Sequence, residues 1–98
     1  MPDITLQLDE QGSGAFYLSE NGKRIGEMAI SIKDNHLTVY HTEVISEMEG
    51  KGLAKELLNN MVKYASNNNL KVIALCPYVL AQFKRHEKEY ASIWEKQA

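Results

Sequence analysis

The chain has 98 residues, of which 44% are apolar and 24% are charged, and its formal net charge at pH 7 is −2. This length predicts a single domain over residues 1–98, and the composition is that of a soluble globular protein. The acidic balance argues against a general nucleic-acid binder, which needs a basic surface. No apolar run approaches the roughly 20 residues of a membrane span, so we expect neither nucleic acid nor a membrane as a partner.

The N-terminus, the single cysteine and the three histidines bear on the compartment of the protein and on metal binding. The first three residues lack the basic and apolar regions of a signal peptide. The lone Cys76 cannot form an internal disulfide, which suits a reducing compartment, and we expect a cytoplasmic protein. The histidines His36, His41 and His86 are too scattered to have zinc-ligand spacing, so no metal site is predicted.

Alternating apolar residues near the start of the chain predict two β-strands with one buried face each. The first strand runs through Ile4, Leu6 and Leu8, and the second runs through Phe16 and Leu18. A glycine-bearing loop over residues 10–14 separates them, so the two strands are expected to pair as neighbours.

Two hairpin turns follow along the chain. Asn21-Gly22 is the strongest short hairpin signal and leads into a third strand. Ile25 and Met28 are an odd number of residues apart and cannot share a face of a regular strand, so Gly26 is expected to mark a bulge. Asp34-Asn35 is the second turn, and a fourth strand follows over about residues 36–44. Four strands joined this way make an antiparallel meander.

The second half of the chain predicts a strand–helix–strand unit. Residues 51–66 carry the apolar stripe of an amphipathic helix. Residues 70–76 are almost continuously apolar, which is typical of a central strand covered on both faces. Such a unit is usually a right-handed βαβ crossover, with the last strand parallel to the fourth.

Pro77 stops the fifth strand, because it cannot extend the ladder of hydrogen bonds. Residues 78–85 and 87–96 predict two short helices, the second burying Tyr90, Ile93 and Trp94. The predicted fold class is therefore α+β, with an α/β-like arrangement: a mainly antiparallel mixed sheet, a βαβ unit and short C-terminal helices.

The turn before the long helix is the predicted ligand site. Gly50 and Gly52 flank Lys51 where the helix begins. A helix start has unpaired N–H donors and a partial positive charge, so it can hold a phosphate, and Lys51 would add a full charge. From spacing alone, a tight loop that needs positive φ explains the glycines equally well. No hydroxyl residue follows Lys51, and a third glycine is missing, which excludes a P-loop and a dinucleotide fingerprint.

Three separated segments, taken in order, carry a family resemblance. They are His41-Thr42-x-Val44, Gly50-Lys51-Gly52-Leu53-Ala54 and Cys76-Pro77-Tyr78-Val79. With the meander, helix and buried strand, they resemble the GNAT superfamily of acetyl-CoA-dependent N-acetyltransferases, most closely its short single-domain members. The resemblance covers about residues 14–94.

The resemblance implies where acetyl-CoA would bind. The superfamily holds the CoA pyrophosphate on a Q/R-x-x-G-x-G/A turn, and Glu47 stands here in place of the Gln or Arg. Backbone amides would still serve, and the pantetheine arm would lie where the fourth and fifth strands diverge. The implied cosubstrate-binding residues are Thr42, Glu43, Val44, Gly50, Lys51, Gly52, Leu53 and Ala54.

Three residues are candidates for chemistry, each with a structural alternative. Cys76, as a thiolate, could accept the acetyl group, although an isolated Cys is often a small buried hydrophobe. His41 suits a general base, or else a histidine that holds strand geometry. Tyr78 could protonate the departing CoA thiolate, or be a core or rim aromatic residue. A Cys76–His41 dyad requires that the strand register bring the two side chains together.

These observations give a leading hypothesis and two rivals. The leading one is a small enzyme that transfers the acetyl group of acetyl-CoA to an amine by direct attack, with an acetyl-Cys76 intermediate as the lesser route. The rivals are a CoA-binding module without catalysis and an interaction protein that kept the fold but not the ligand. Short members lack the elements that usually form an acceptor pocket, so the acceptor stays open. We expect a monomer or a weak homodimer.

Overall fold

Five strands form one mixed sheet in the computed structural model, which describes residues 2–97; residues 1 and 98, the ends of the predicted domain, lie outside this range. The strand order follows the chain, with β1 to β4 antiparallel and β5 parallel to β4. This confirms the predicted meander and the βαβ crossover. The strands are β1 Asp3–Leu8, β2 Ser13–Glu20, β3 Lys23–Lys33, β4 His36–Val44 and β5 Lys71–Ala74.

Both predicted hairpin turns are present. Asn21 and Gly22 have φ of 53° and 78°, and Asp34 and Asn35 have φ of 51° and 65°. Two consecutive positive φ values give the turn twist that matches the right-handed twist of the flanking strands. These two turns therefore determine where β2 ends, where β3 begins and ends, and where β4 begins.

Two β-bulges shift the register of the sheet. Leu18 pairs with Gly26 but Ser19 pairs with Arg24, so Ile25 is the extra residue and the bulge expected beside Gly26 is confirmed. The second bulge lies in β4, which the sequence did not predict. Ala29 pairs with His41 and Ile30 with Val39, so Tyr40 is the extra residue.

In the described part of the chain, three helices follow the meander: α1 Leu53–Asn67, α2 Pro77–Arg85 and α3 Glu87–Tyr90, with one 3₁₀ turn, Ser46–Met48, before α1. The long helix begins two residues later than predicted, because Gly50 and Gly52 have φ of 81° and 76°, which no right-handed helix contains. None of the helices within residues 2–97 is long and apolar enough to cross a bilayer.

The last helix is shorter than predicted, ending at Tyr90 instead of residue 96. Beyond it the chain runs beside β5: Val72 N donates to Ile93 O at 2.6 Å and Glu95 N donates to Val72 O at 2.8 Å. Tyr90 and Ile93 are buried as predicted, and the Trp94 ring packs at 5.6 Å from Phe83. The prediction was wrong here because a free strand edge offers hydrogen bonds that compete with the helix.

The helices all pack on one face of the sheet. Their apolar stripes and alternate strand residues make one core. Its largest fully buried side chains are Phe16, Leu18, Met28, Ile30, Leu37, Val39, Leu57, Leu58, Met61, Val72, Val79 and Phe83. Within residues 2–97 no helix covers the opposite face, which we call the open face.

The one-sided packing corrects the prediction for β5. This strand lies at an edge of the sheet, not at its centre, and only one of its faces is buried. Val72 and Ala74 point into the core, while Ile73 is half-buried and Leu75 is 54% exposed. An apolar run shows no alternation, so the sequence could not indicate that the second face has no covering layer.

Candidate functional site

β4 and β5 separate halfway along β4. They pair only between residues 36–39 and 71–74. Leu75 N and Cys76 N then both donate to Val39 O, at 3.0 and 2.9 Å, and the chain turns into α2. In the described chain, no strand lies beside residues 40–44 on this side, so their backbone groups that point away from β3 are unpaired. The predicted divergence of the two strands is present.

A cavity of about 370 Å³ lies at this opening, on the helix side of the sheet. Its walls come from the end of β4, the turn before α1 and the first turns of α1 and α2. The lining residues are Thr42, Val44, Met48, Glu49, Gly50, Gly52, Leu53, Ala54, Lys55 and Tyr78.

The start of α1 presents bare backbone donors to the cavity. Within residues 2–97, none of the N–H groups of residues 50–55 donates a hydrogen bond; the first to do so is Glu56 N, to Gly52 O at 3.2 Å. A Cβ on Gly50 or Gly52 would meet no atom within 4 Å, so the backbone is open to a ligand. Unpaired donors at the positive end of a helix dipole form an anion site.

The charges around these donors differ from those expected. Lys51 is exposed and does not line the cavity, whereas Lys55 does. Glu49 also lines it, and Glu47 lies outside, with its carboxylate 3.5 Å from Lys23 Nζ. Sequence reasoning missed Lys55, although its place one helical turn after Lys51 is a signal that could have found it.

Cys76 lies behind the cavity wall. It is 2% exposed, and its Sγ is 3.4 Å from Thr42 Oγ1, within hydrogen-bonding distance for sulfur. It is also the residue that precedes α2, whose first residue is Pro77. Thr42 therefore stands between the thiol and the cavity.

His41 and Glu43 project from the open face, away from the cavity. The His41 side chain is 54% exposed, with Nε2 3.9 Å from the Glu27 carboxylate, and Glu43 pairs with Glu27 in the register. The bulge at Tyr40 turns His41 outward and Thr42 inward. The strand register therefore does not bring Cys76 and His41 together as a dyad, because the two side chains lie on opposite faces of the sheet.

Tyr78 lines the cavity from the first turn of α2. Partial burial raises the pKa of its hydroxyl above the ordinary value, and the nearby charge of an ionised Cys76 raises this pKa further. The hydroxyl therefore keeps its proton at neutral pH and can donate a hydrogen bond. No group of three or more metal-ligating side chains occurs within residues 2–97.

A family model for the GCN5-related N-acetyl-transferases matches residues 15–93. The chain belongs to this family. The predicted GNAT membership and the α+β fold are thus confirmed. None of the curated proteins matches the sequence significantly.

Solved structures of a GCN5-like protein and of N-acetyltransferases share the fold. A GCN5-like protein from Staphylococcus aureus, solved by NMR, is 26% identical; the match covers 98% of this chain and 90% of that one, with a TM-score of 0.70. The ribosomal-protein-alanine N-acetyltransferase of Brucella melitensis is 20% identical, with coverage of 91% and 66% and a TM-score of 0.64. The ribosomal-protein-S18-alanine N-acetyltransferase of Escherichia coli is 17% identical, with coverage of 65% and 42% and a TM-score of 0.60.

These coverages distinguish one short protein from two longer enzymes. The chain spans nearly the whole Staphylococcus aureus protein but 66% and 42% of the Brucella and Escherichia enzymes. The match to the short protein covers 98% of this chain, so it extends over β4, residues 50–52 and the first turns of α1 and α2.

Proposed function

We propose that the protein binds acetyl-CoA in this cavity and transfers the acetyl group to an amine. One observation carries the proposal: the start of α1, with its bare N–H groups, and the end of β4, with its unpaired edge, line the same cavity. Membership in a family of N-acetyltransferases supports it, since such enzymes generally take their acetyl group from acetyl-CoA.

The two ends of the cavity suit the two ends of the cosubstrate. The N–H groups of Gly50, Gly52, Leu53 and Ala54, which line the cavity, would hold the diphosphate, with Lys55 supplying a full positive charge. Lys51, which does not line the cavity, would contribute only long-range attraction. Peptide groups of residues 42–44 would pair with the amides of the pantetheine arm, and the apolar walls would contact its methylene groups. The Glu49 carboxylate also lines the cavity and would repel the phosphates, which would weaken binding.

The reaction needs few groups from the protein. The amine nitrogen attacks the thioester carbon, a C–N bond forms, the C–S bond breaks, and the sulfur leaves as a thiolate. Tyr78, which keeps its proton at neutral pH, would donate a hydrogen bond to that sulfur. We assign the proton lost by the amine to water, because His41 projects from the other face of the sheet.

We propose direct attack over an acetyl-Cys76 intermediate. The thiol is 2% exposed and is in contact with Thr42, so it is sheltered from the cavity. Rapidly quenched mixtures with acetyl-CoA should show no acetyl adduct on Cys76 by mass spectrometry. An adduct that forms and decays at the turnover rate would overturn the direct route.

A thermal-shift titration followed by an amine panel tests the function. A ligand that binds only the folded chain raises the melting temperature, and this rise should grow with acetyl-CoA concentration. Release of free CoA thiol with at least one amine would then establish transfer. The absence of a thermal shift would refute binding and favour the interaction protein.

We propose the cytoplasm as the compartment of this protein, since the buried Cys76 is a free thiol.

One observation favours a second function, a CoA-binding module without catalysis. Glu49 is the only acidic or histidine side chain among the cavity-lining residues, so within the described chain few groups there can accept a proton. This alternative predicts a full thermal shift with acetyl-CoA and no thiol release on any amine.

A further inference from the structure

The open face carries an acidic row at one end. Glu27 on β3 pairs directly with Glu43 on β4, and His41 Nε2 lies 3.9 Å from the Glu27 carboxylate. Arg24 is near this end, but its guanidinium stacks on the Tyr17 ring at 3.6 Å. Like charges directly opposite each other destabilise a sheet. Arg24 keeps its charge while it is stacked and lines the same hollow as Glu27 and Glu43, so among residues 2–97 two carboxylates face one guanidinium and the row keeps a net negative charge.

A basic row crosses the other end of the same face. Lys33 on β3 pairs with His36 on β4, which pairs with Lys71 on β5. Lys71 Nζ donates to Ser92 O at 2.5 Å, and Glu95 lies 3.7 Å from His36. Six residues along β3 separate this row from the acidic one, a distance of about 20 Å.

A neutral patch fills the space between the two rows. It consists of Ala29, Ser31, Thr38, Tyr40, Ile73 and Leu75, which alternate with core residues along β3, β4 and β5. Tyr40 is 48% exposed and its hydroxyl contacts Ser31 Oγ at 2.7 Å. Of the three large apolar side chains exposed within residues 2–97, two, Tyr40 and Leu75, belong to this patch.

We propose that the open face joins two copies of this chain as a homodimer. A two-fold axis in the interface, perpendicular to the strands, reverses the strand direction between the copies. The acidic row of each copy then faces the basic row of the other, and the two neutral patches meet at the centre. Such an interface is self-complementary, as a two-fold contact requires.

The dimensions of the face set the strength of this dimer. Five strands about 4.8 Å apart and about 20 Å long give roughly 500 Å² per copy, or about 1,000 Å² in total. This buried area lies at the lower end of the range for specific interfaces, so the dimer is weak and sensitive to salt. The cavity lies on the helix side, so both copies keep it open, and the inference does not depend on the proposed function.

Sedimentation of the wild-type chain from micromolar to millimolar concentration is the first test. The average mass should rise from 11.1 kDa toward twice that value at low salt, and high salt should shift the transition to higher concentration. A mass that stays at 11.1 kDa throughout overturns the proposal and leaves the face to solvent or to another partner.

Charge exchange is the decisive test. Glu27→Lys alone and Lys33→Glu alone each set like charges against each other, and each should weaken the dimer at least about tenfold. The double variant Glu27→Lys/Lys33→Glu exchanges the rows and should restore it, as should an equimolar mixture of the two single variants. Lys63→Glu, exposed on α1, is the matched control and should leave association unchanged. Circular dichroism verifies the fold of each variant, and failure of both rescues refutes the arrangement.

Discussion

The two faces of the sheet differ in what their side chains do. On the helix side, alternate residues of every strand join α1, α2 and α3 in one core, and the ligand cavity lies at the margin of that core. On the open face, the same strands present charged rows and a small neutral patch to solvent. One strand serves both faces because its side chains alternate, so β4 contributes Thr42 to the cavity and His41 to the open face. Neighbouring residues of β4 therefore have different roles: one side chain lines the cavity beside the core, and the next is exposed on the open face.

Truncating a leucine on each side gives the largest expected contrast. Leu57→Ala, in the core, should lower the free energy of unfolding by about 3 kcal/mol, because it leaves a cavity and loses buried apolar contacts. Leu75→Ala, on the open face, should cost less than about 0.5 kcal/mol. Urea unfolding at low chain concentration measures both, and equal losses would contradict the one-sided core.

Two glycines with the same backbone conformation separate strain from ligand binding. Gly52 and Gly22 have φ of 76° and 78°, and a Cβ on either meets no atom within 4 Å. Valine at either position should therefore destabilise the fold by a similar amount, about 1–3 kcal/mol. Only Gly52→Val also places a side chain at the cavity, so it alone should lose the thermal shift with acetyl-CoA.

The two variants, Gly52→Val and Gly22→Val, distinguish a ligand site at the start of α1 from a tight loop without a ligand. If Gly22→Val also abolishes binding, loss of folding explains the result. If Gly52→Val keeps its affinity for acetyl-CoA, the phosphate site is not at the start of α1.

Charge changes at the cavity should act in opposite directions. Lys55→Gln should weaken acetyl-CoA binding about tenfold, which corresponds to one lost charge-assisted hydrogen bond of about 1.4 kcal/mol. Glu49→Gln should strengthen binding severalfold, because it removes a carboxylate near the phosphates. Lys63→Gln, farther along α1, is the control. Calorimetry that finds equal effects for Lys55 and Lys63 would indicate only long-range attraction.

The smallest expected effect is a loss of stability at alkaline pH. Burial raises the folded-state pKa of Tyr78 and of Tyr90, with smaller contributions from Cys76 at the first and from Glu89 and Tyr78 at the second. The unfolded chain then ionises first as the pH rises. Stability is therefore complete below about pH 10 and falls as the pH passes through the folded-state pKa values. Tyr78→Phe/Tyr90→Phe should flatten this fall in urea titrations; an unchanged slope would contradict it.

Local signals predicted the framework of the fold. Asn21-Gly22 and Asp34-Asn35 specify their turns through backbone conformations that few residues adopt, and the stripe of α1 follows from its period. The glycine turn was found for the same reason. Each of these features depends on residues that are close together in the sequence.

Features that depend on contacts between residues far apart in the chain could not be predicted from the local sequence. No glycine or proline marks the bulge at Tyr40, so the face on which His41 lies was not predictable. The chain beyond Tyr90 leaves the helix to pair with Val72, which a reader of residues 87–96 alone cannot foresee. The Thr42–Cys76 contact joins residues far apart in the chain and required the register of both strands.

The bulge at Tyr40 decides which residues of β4 face the helices beyond it. It adds one residue between the pairs Ile30–Val39 and Ala29–His41, so Tyr40 and His41 both face outward and Thr42 faces inward. Loss of Tyr40 would leave a regular strand that keeps both pairs and the same inward side chains. Loss of Thr42 would instead exchange the inward and outward positions of the residues that follow it. A change in the length of this strand should therefore be tolerated at the bulge and not at the wall of the cavity.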